Sequence, residues 1–275
     1  FIAADIVIIA IIASIEKLIT NIDAVYDAIV SVEKLSTITE AEKENSGSLQ
    51  LPPTEDGVSI EFKEVSYTYG DGTHVFKDIN LDIPGGHLVQ ITGESGVGKS
   101  TLLRLITGAF TAFKGTILID NIPVSNYNLQ SLRQQTGILL GSQDIFHGTL
   151  WENLTMGDKD ISLEQILTLA ELTGLDEFIQ SNKQGFDTIL EPAGNKLSNN
   201  VRKNILLIRA LAGNQRLLLL NEPFGHLKDP HKKNIIQYIK KAKKATVLIT
   251  SQDESLNSFS DQVFTMNKMD EVNKV

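Results

Sequence analysis

Residues 93–101 read GESGVGKST, and such a run tightly restricts what can fold around it. Gly93, Gly96 and Gly98 let the backbone turn sharply enough for successive N–H groups to face one anion, and the amides of Glu94, Ser95 and Val97 fall in the same cradle. Lys99 adds a positive charge toward the β- and γ-phosphates of a nucleotide, the Ser100 hydroxyl suits Mg²⁺, and Thr101 closes the motif. A helix opening near Lys99 would aim its positive end at the same anion. The flanks fit this reading. Residues 87–92 (HLVQIT) read as a short buried strand, and Leu102, Leu103, Leu105 and Ile106 follow at helical spacing. A glycine-rich turn matching by chance would not bring both neighbours with it. Residues 93–101 are therefore expected to hold a nucleoside triphosphate.

The rest of the chain alternates strands and helices around that loop. Residues 58–62 and 76–83 alternate apolar and polar side chains across a turn at Gly70-Asp71-Gly72, and residues 115–120 form another strand before the turn at 121–123. Residues 149–211 are mainly helical in pattern, and the apolar run 217–220 suits a central parallel strand. A helix over about 230–243 and a strand over 246–250 follow. This order predicts an α/β fold: a doubly wound P-loop core with an antiparallel β subdomain and an inserted α-helical subdomain at about 141–211. With 41% apolar residues over 275 positions, a full core is available. A net charge of −9 opposes sequence-independent nucleic-acid binding, and the absence of cysteine removes disulfides, thiolate metal sites and thiol catalysis.

The first 45 residues differ in texture. Residues 1–13 are almost wholly apolar apart from Asp5, too few to span a bilayer, which takes about 20 residues. Ile15, Leu18, Ile22, Val25, Ile29 and Val32 then recur in steps of three and four, with Glu16, Lys17, Asp23, Asp27, Glu33 and Lys34 on other faces. An apolar segment running into one amphipathic helix reads as the cytoplasmic end of a membrane helix, the alternative being a packed helix of a soluble protein. Beginning at Phe1 on such a run, the chain is expected to be the C-terminal piece of a longer one. The stretch 41–56 is polar, with Gly47, Ser48, Pro52 and Pro53, and reads as linker sequence; the linker itself is placed at 46–57.

In this order the motifs resemble the nucleotide-binding domain of exporter-type ATP-binding cassette transporters over residues 58–266. The resemblance makes residues 1–45 the end of the last transmembrane helix with its cytoplasmic extension, and 58–275 the cassette. It implies ATP and Mg²⁺ as ligands. The membrane, the chain's own transmembrane domain and a second cassette would be its partners, and the cassette would lie on the cytoplasmic face. Tyr69, closing FKEVSYTY, falls where the family stacks an aromatic ring on adenine. Gln143, in GSQDIF, falls at the loop whose glutamine reaches Mg²⁺ and the attacking water. Residues 217–222 (LLLLNE) take the place of the strand that delivers Asp then Glu; here Asn221 precedes Glu222. Asn221 would hold hydrated Mg²⁺ through water without a charge, and Glu222 would polarise the attacking water.

Two further motifs depart from the family. Its Leu-Ser-Gly-Gly-Gln signature appears as Leu197-Ser198-Asn199-Asn200-Val201, where Ser198 can still reach a partner's ATP but two side chains intrude on close backbone approach. Gln252 stands where a switch histidine is expected, and an amide carries no charge and relays no proton. His226, in a loop one residue longer than the family's, has nothing in the sequence to bring it to the γ-phosphate. Catalytic work is thus expected of Glu222, Gln143 and Gln252. Defects on both sides of a shared site predict an impaired half of a heterodimer. The rival readings are a non-hydrolysing ATP sensor and a soluble cassette protein.

Overall fold

The computed structural model describes residues 2–40, 44–141, 143–242, 244–267 and 272–274. It divides the chain into two units, Phe1–Asn45 and Ser46–Val275. The first is a single helix, α1 (Ile2–Thr39). Ile8, Ile15, Ile22 and Ile29 are among its exposed apolar side chains. Among the described residues no helix is long and apolar enough to cross a membrane. Glu16 and Lys17 close the apolar run at the start of α1.

The second unit opens with β1 (Ile60–Thr68) and β2 (His74–Ile83), then β3 (Leu88–Thr92) and α2 (Lys99–Ile106). Next come β4 (Lys114–Ile119), β5 (Ile122–Pro123), α3 (Leu129–Gln134) and β6 (Thr136–Leu139). A helical segment follows, built from β7 (Gly148–Thr149), α4 (Leu150–Thr155), α5 (Leu163–Thr173), α6 (Asp176–Ser181), β8 (Ile189–Leu190) and α7 (Asn199–Leu211). The chain closes with β9 (Leu217–Asn221), α8 (Asp229–Ala242), β10 (Thr246–Thr250), β11 (Gln262–Met266) and β12 (Val272–Lys274).

The main sheet has the order β12-β11-β3-β10-β9-β6 and is parallel except for β12. Its central strands read LLLL and TVLI because both of their faces are buried. A second sheet, β2-β1-β4-β5, is antiparallel, as alternation over 58–62 and 76–83 predicts. One apolar cluster packs α2 between these sheets through Leu102, Leu103, Leu105 and Ile106. The other gathers α5, α7 and α8 on the opposite face of the main sheet. Crossover helices thus cover both faces, as a doubly wound sheet requires.

The first strand runs to Thr68 and takes the aromatic-rich segment into the sheet. Two details differ from the expected outline. The helical segment also holds the short pair β7–β8. The stretch expected as a linker is tied down: Leu51 is buried, its N–H meets Ser131 Oγ at 2.8 Å, and Leu49 N–H donates to the Asn126 carbonyl. Residues 41–43 of that stretch, and the expected last residue of the helix over 230–243, lie outside the described residues.

Register places the site. Thr250 pairs with Asn221 on one side and Ile91 on the other, so the carboxyl ends of β3, β9 and β10 finish at one level. Ligands of open parallel sheets bind at this edge.

Candidate functional site

The phosphate loop leaves β3 and enters α2 through three left-handed glycines, Gly93, Gly96 and Gly98, with φ of 139°, 85° and 100°. At Gly93 a Cβ would lie 2.3 Å from the Met266 carbonyl oxygen, and at Gly98 2.7 Å from Val75 Cγ1. Neither position takes a side chain without displacing its neighbour. Gly98 caps α2 with no side-chain acceptor, leaving first-turn N–H groups aimed into the loop. Lys99 is buried, and its Nζ donates to the carbonyls of Gly93 and Glu94, both at 2.7 Å. Burial lowers its pKa, and the charge of Glu222 opposes that shift.

Asn221, ending β9, is held on both sides. Ser100 Oγ donates to Asn221 Oδ1 at 2.9 Å, and Thr250 Oγ1 donates to the same oxygen at 2.7 Å. Glu222 follows at φ 46°, an uncommon conformation for a non-glycine residue, with its N–H donating to the Thr250 carbonyl at 2.9 Å. Its Oε2 accepts from Ser251 Oγ at 3.3 Å. Gln252 Nε2 donates to the Gly93 carbonyl at 3.1 Å. The loop, Lys99, Ser100, Asn221, Glu222 and Gln252 therefore converge at the ends of three adjacent strands.

Tyr69 reaches the same place from β1's end. Its hydroxyl and Thr101 Oγ1 share a hydrogen bond of 2.7 Å, and its ring lies edge-on to Tyr67 and Phe110. Gln143 is bonded within its own loop: its Oε1 accepts from Leu140 N–H at 3.1 Å. Ser198 caps α7, accepting from Val201 N–H at 3.3 Å, and its carbonyl accepts from Arg202 N–H. Its described bonds thus belong to its own helix. His226 is bonded to α7 instead of the phosphate loop, with Nε2 2.7 Å from Asn204 Oδ1. The Asn204 amide donates to the Thr173 carbonyl at 2.9 Å, so its oxygen faces the ring and Nε2 carries the proton.

Hard-oxygen donors suit Mg²⁺, which keeps several waters and takes few protein ligands. Ser100 Oγ and Asn221 Oδ1 are such a pair, 2.9 Å apart beside the loop. Among the described residues no cluster of three His, Cys, Asp or Glu exists that could hold a metal alone. The donor set fits a magnesium ion shared with phosphate oxygens and water.

Thr250 is the residue that sequence reading missed here. It looked like the tail of an apolar strand. Its signal was a hydroxyl directly before Ser251 and Gln252, but only the parallel register sets it opposite Asn221.

A strand–glycine loop–helix cradle at the carboxyl edge of a parallel sheet, with an antiparallel sheet on one side and an inserted helical segment on the other, defines a P-loop nucleotide-binding domain. Residues 76–225, more than half of the chain, match the ABC transporter family, and the chain belongs to it. Its relatives include the alpha-hemolysin translocation ATP-binding protein of Escherichia coli O157:H7, 32% identical over 241 residues, or 86% of this chain and 34% of that protein. The ATP-dependent lipid A-core flippase of Legionella pneumophila strain Lens is 32% identical over 222 residues, 80% of this chain and 37% of that one. A solved bacterial Atm1-family ABC exporter with ATP bound shares the fold with a TM-score of 0.77 at 23% identity, covering 88% of this chain and 43% of that chain. The chain spans about a third of the length of the curated relatives it matches. The resemblance read from the motifs is borne out at the level of family and fold.

Proposed function

We propose that this chain is the ATP-binding and ATP-hydrolysing cassette of an ABC exporter, powering transmembrane movement of a substrate as the impaired half of a heterodimer. The observation that carries the reading is the Asn221 oxygen fixed between Ser100 and Thr250, beside Glu222 and under the phosphate loop. Residues 1–45 are read as the end of the last membrane helix and its extension, residues 46–57 as the link, and residues 58–275 as the cassette, held on the cytoplasmic face of the membrane. The exposed apolar face of α1 supports the first of these.

The residues divide the work as follows. N–H groups of Gly93, Glu94, Ser95, Gly96, Val97 and Gly98 surround the phosphates, and Lys99 exchanges its two carbonyl partners for β- and γ-oxygens. Ser100 and Gln143 would hold Mg²⁺, and Asn221 would hold it through water. Mg²⁺, when bound, neutralises charge gathering on the phosphate oxygens. Thr101 anchors the Tyr69 hydroxyl, and the Tyr69 ring meets adenine. Glu222 orients and polarises the attacking water, and Gln252 donates to the γ-phosphate. Ser198 serves the partner's ATP.

Impairment follows from charge. Asn221 accepts as an aspartate would but supplies no negative charge to the metal, and Gln252 supplies no positive charge to the phosphate. Paired with itself, the chain would place both defects and the Asn199-Asn200-Val201 signature in each site. The test is ATP turnover by the purified chain alone and mixed with an intact second cassette. Slow turnover alone with a clear gain on mixing supports the reading; brisk turnover alone overturns it.

A further inference from the structure

Gln90 lies in the middle of β3, between β10 and β11, and is 1% exposed. A primary amide at the centre of a sheet is costly unless its hydrogens are used. Both are. Nε2 donates to the carbonyls of Ser251 at 3.3 Å and Asp253 at 3.1 Å. Carbonyls only accept, so the orientation of the amide is fixed. These two carbonyls flank Gln252.

A second grip holds the same turn from outside the sheet. Lys232, with its side chain 9% exposed, donates from Nζ to Asp253 Oδ2 at 2.5 Å and to Ser255 Oγ at 2.8 Å. Ser251 N–H donates to the Ile91 carbonyl at 3.1 Å, continuing the ladder for one residue past β10. Gln252 alone within the turn is exposed, reaching Gly93.

The remaining atom of Gln90 makes the case. Oε1 is buried and has no hydrogen-bond partner among the described residues. An apolar side chain would fill β3 without that penalty. The amide's return is its two bonds to the turn. A neutral glutamine at the γ-phosphate gains little from long-range attraction, so its placement must come from the backbone that carries it.

We infer that Gln90 is a positioning residue that fixes the 251–253 turn and so sets Gln252 against the γ-phosphate. The inference rests on the proposed role of Gln252 at that phosphate. ATP and ADP affinities of the full chain would be measured with fluorescent analogues for wild type, Gln252→Ala, Gln90→Leu and the double variant. Gln252→Ala should weaken ATP about five-fold and leave ADP unchanged, about the worth of one hydrogen bond. Gln90→Leu should reproduce that ATP-specific loss, and the double variant should add nothing to it. Multiplying losses, equal weakening of ATP and ADP, or an unchanged Gln90→Leu beside a weakened Gln252→Ala each overturn the inference. Should Gln252→Ala alter neither nucleotide, the γ-phosphate role fails, and amide exchange then judges Gln90 on its own. Faster exchange at 251–253 in Gln90→Leu supports the grip, and unchanged exchange removes it. Gln90→Met, whose side chain follows the same path, repeats the comparison if Gln90→Leu does not fold.

Discussion

Ser100 Oγ points its proton at Asn221 Oδ1 across 2.9 Å, joining the phosphate loop to the strand that delivers Glu222. The bond fixes which end of the Asn221 amide faces the metal position. A free asparagine side chain could present N–H₂ there and repel a cation. Here Thr250 donates to the same oxygen from the neighbouring strand, so the amide nitrogen is kept away. The substitution of amide for carboxylate therefore removes charge while preserving an acceptor.

Thr250→Val tests that arrangement, because valine keeps the shape and removes the donor. The Asn221 amide would gain freedom to turn, and the Mg²⁺ concentration needed for half-maximal ATP binding should rise about three- to ten-fold, equivalent to about 1 kcal/mol. ATP binding in chelator should stay level, since the phosphate loop is untouched. Titration of Mg²⁺ at fixed ATP reads the difference. An unchanged midpoint would show that Ser100 alone orients Asn221.

Glu222→Gln separates hydrolysis from sensing. The backbone at φ 46° aims the side chain out of the sheet, and Ser251 holds the carboxylate by one hydrogen bond. A glutamine can take that bond but cannot accept a proton from water. Turnover in the two-cassette assembly should fall about hundred-fold at the sites formed by this chain's phosphate loop, within the range for loss of a general base. ATP binding should persist. Equal turnover with and without the carboxylate would move the catalytic role elsewhere and favour an ATP sensor.

The half-buried ring of His226 gives the cassette a pH dependence of its own. Burial, and secondarily the charge of Lys203, lower its pKa from 6.5 to about 4, and Nδ1 is buried with no partner among the described residues. Above about pH 6.5 the ring is neutral whether the chain is folded or unfolded, so it contributes no slope. Between 6.5 and 4 the unfolded chain takes a proton that the folded one refuses, so stability falls as pH falls and levels off below 4. Allowing for screening at a partly exposed ring, the loss is about 1–2 kcal/mol. His226→Gln keeps a donor for Asn204 and removes the titration. Urea unfolding from pH 7 to pH 4 should show a shallower decline in the variant, and parallel curves would refute the assignment.

What could be read from the sequence was what lies close together along it. The phosphate loop, Asn221-Glu222 and the signature run 197–201 are contiguous stretches recognisable by local spacing, and the strands and helices around them follow from hydrophobic period. The amphipathic stripe through Ile15, Ile22 and Val32 likewise falls within one helix, α1. What escaped depends on register between distant segments. Thr250 meets Asn221, and Gln90 meets Ser251 and Asp253, only because β10 lies between β3 and β9. The 46–57 stretch looked like a free linker because proline, glycine and serine dominate it, yet a single leucine, Leu51, docks it beside Ser131. Composition shows where a chain can be loose; a buried side chain decides whether it is.

Restoring charge should restore chemistry in proportion. Asn221→Asp puts a carboxylate oxygen where Ser100 and Thr250 already donate, so no repacking is needed. The new charge lies beside Glu222, which disfavours it until Mg²⁺ is bound, so tighter Mg²⁺ binding should accompany slightly lower stability without the metal. Gln252→His adds an imidazole on a turn that Gln90 and Lys232 hold in place. Together the two changes should raise turnover of the chain alone about ten-fold, and no further, because the proposed signature still carries Asn199, Asn200 and Val201 in place of Gly, Gly and Gln. Converting those three to Gly, Gly and Gln in the same background should yield the next gain. If that signature change alone restored full turnover, Asn221 and Gln252 would not be the source of impairment. Steady-state ATPase assays on the stepwise series distinguish the two orders.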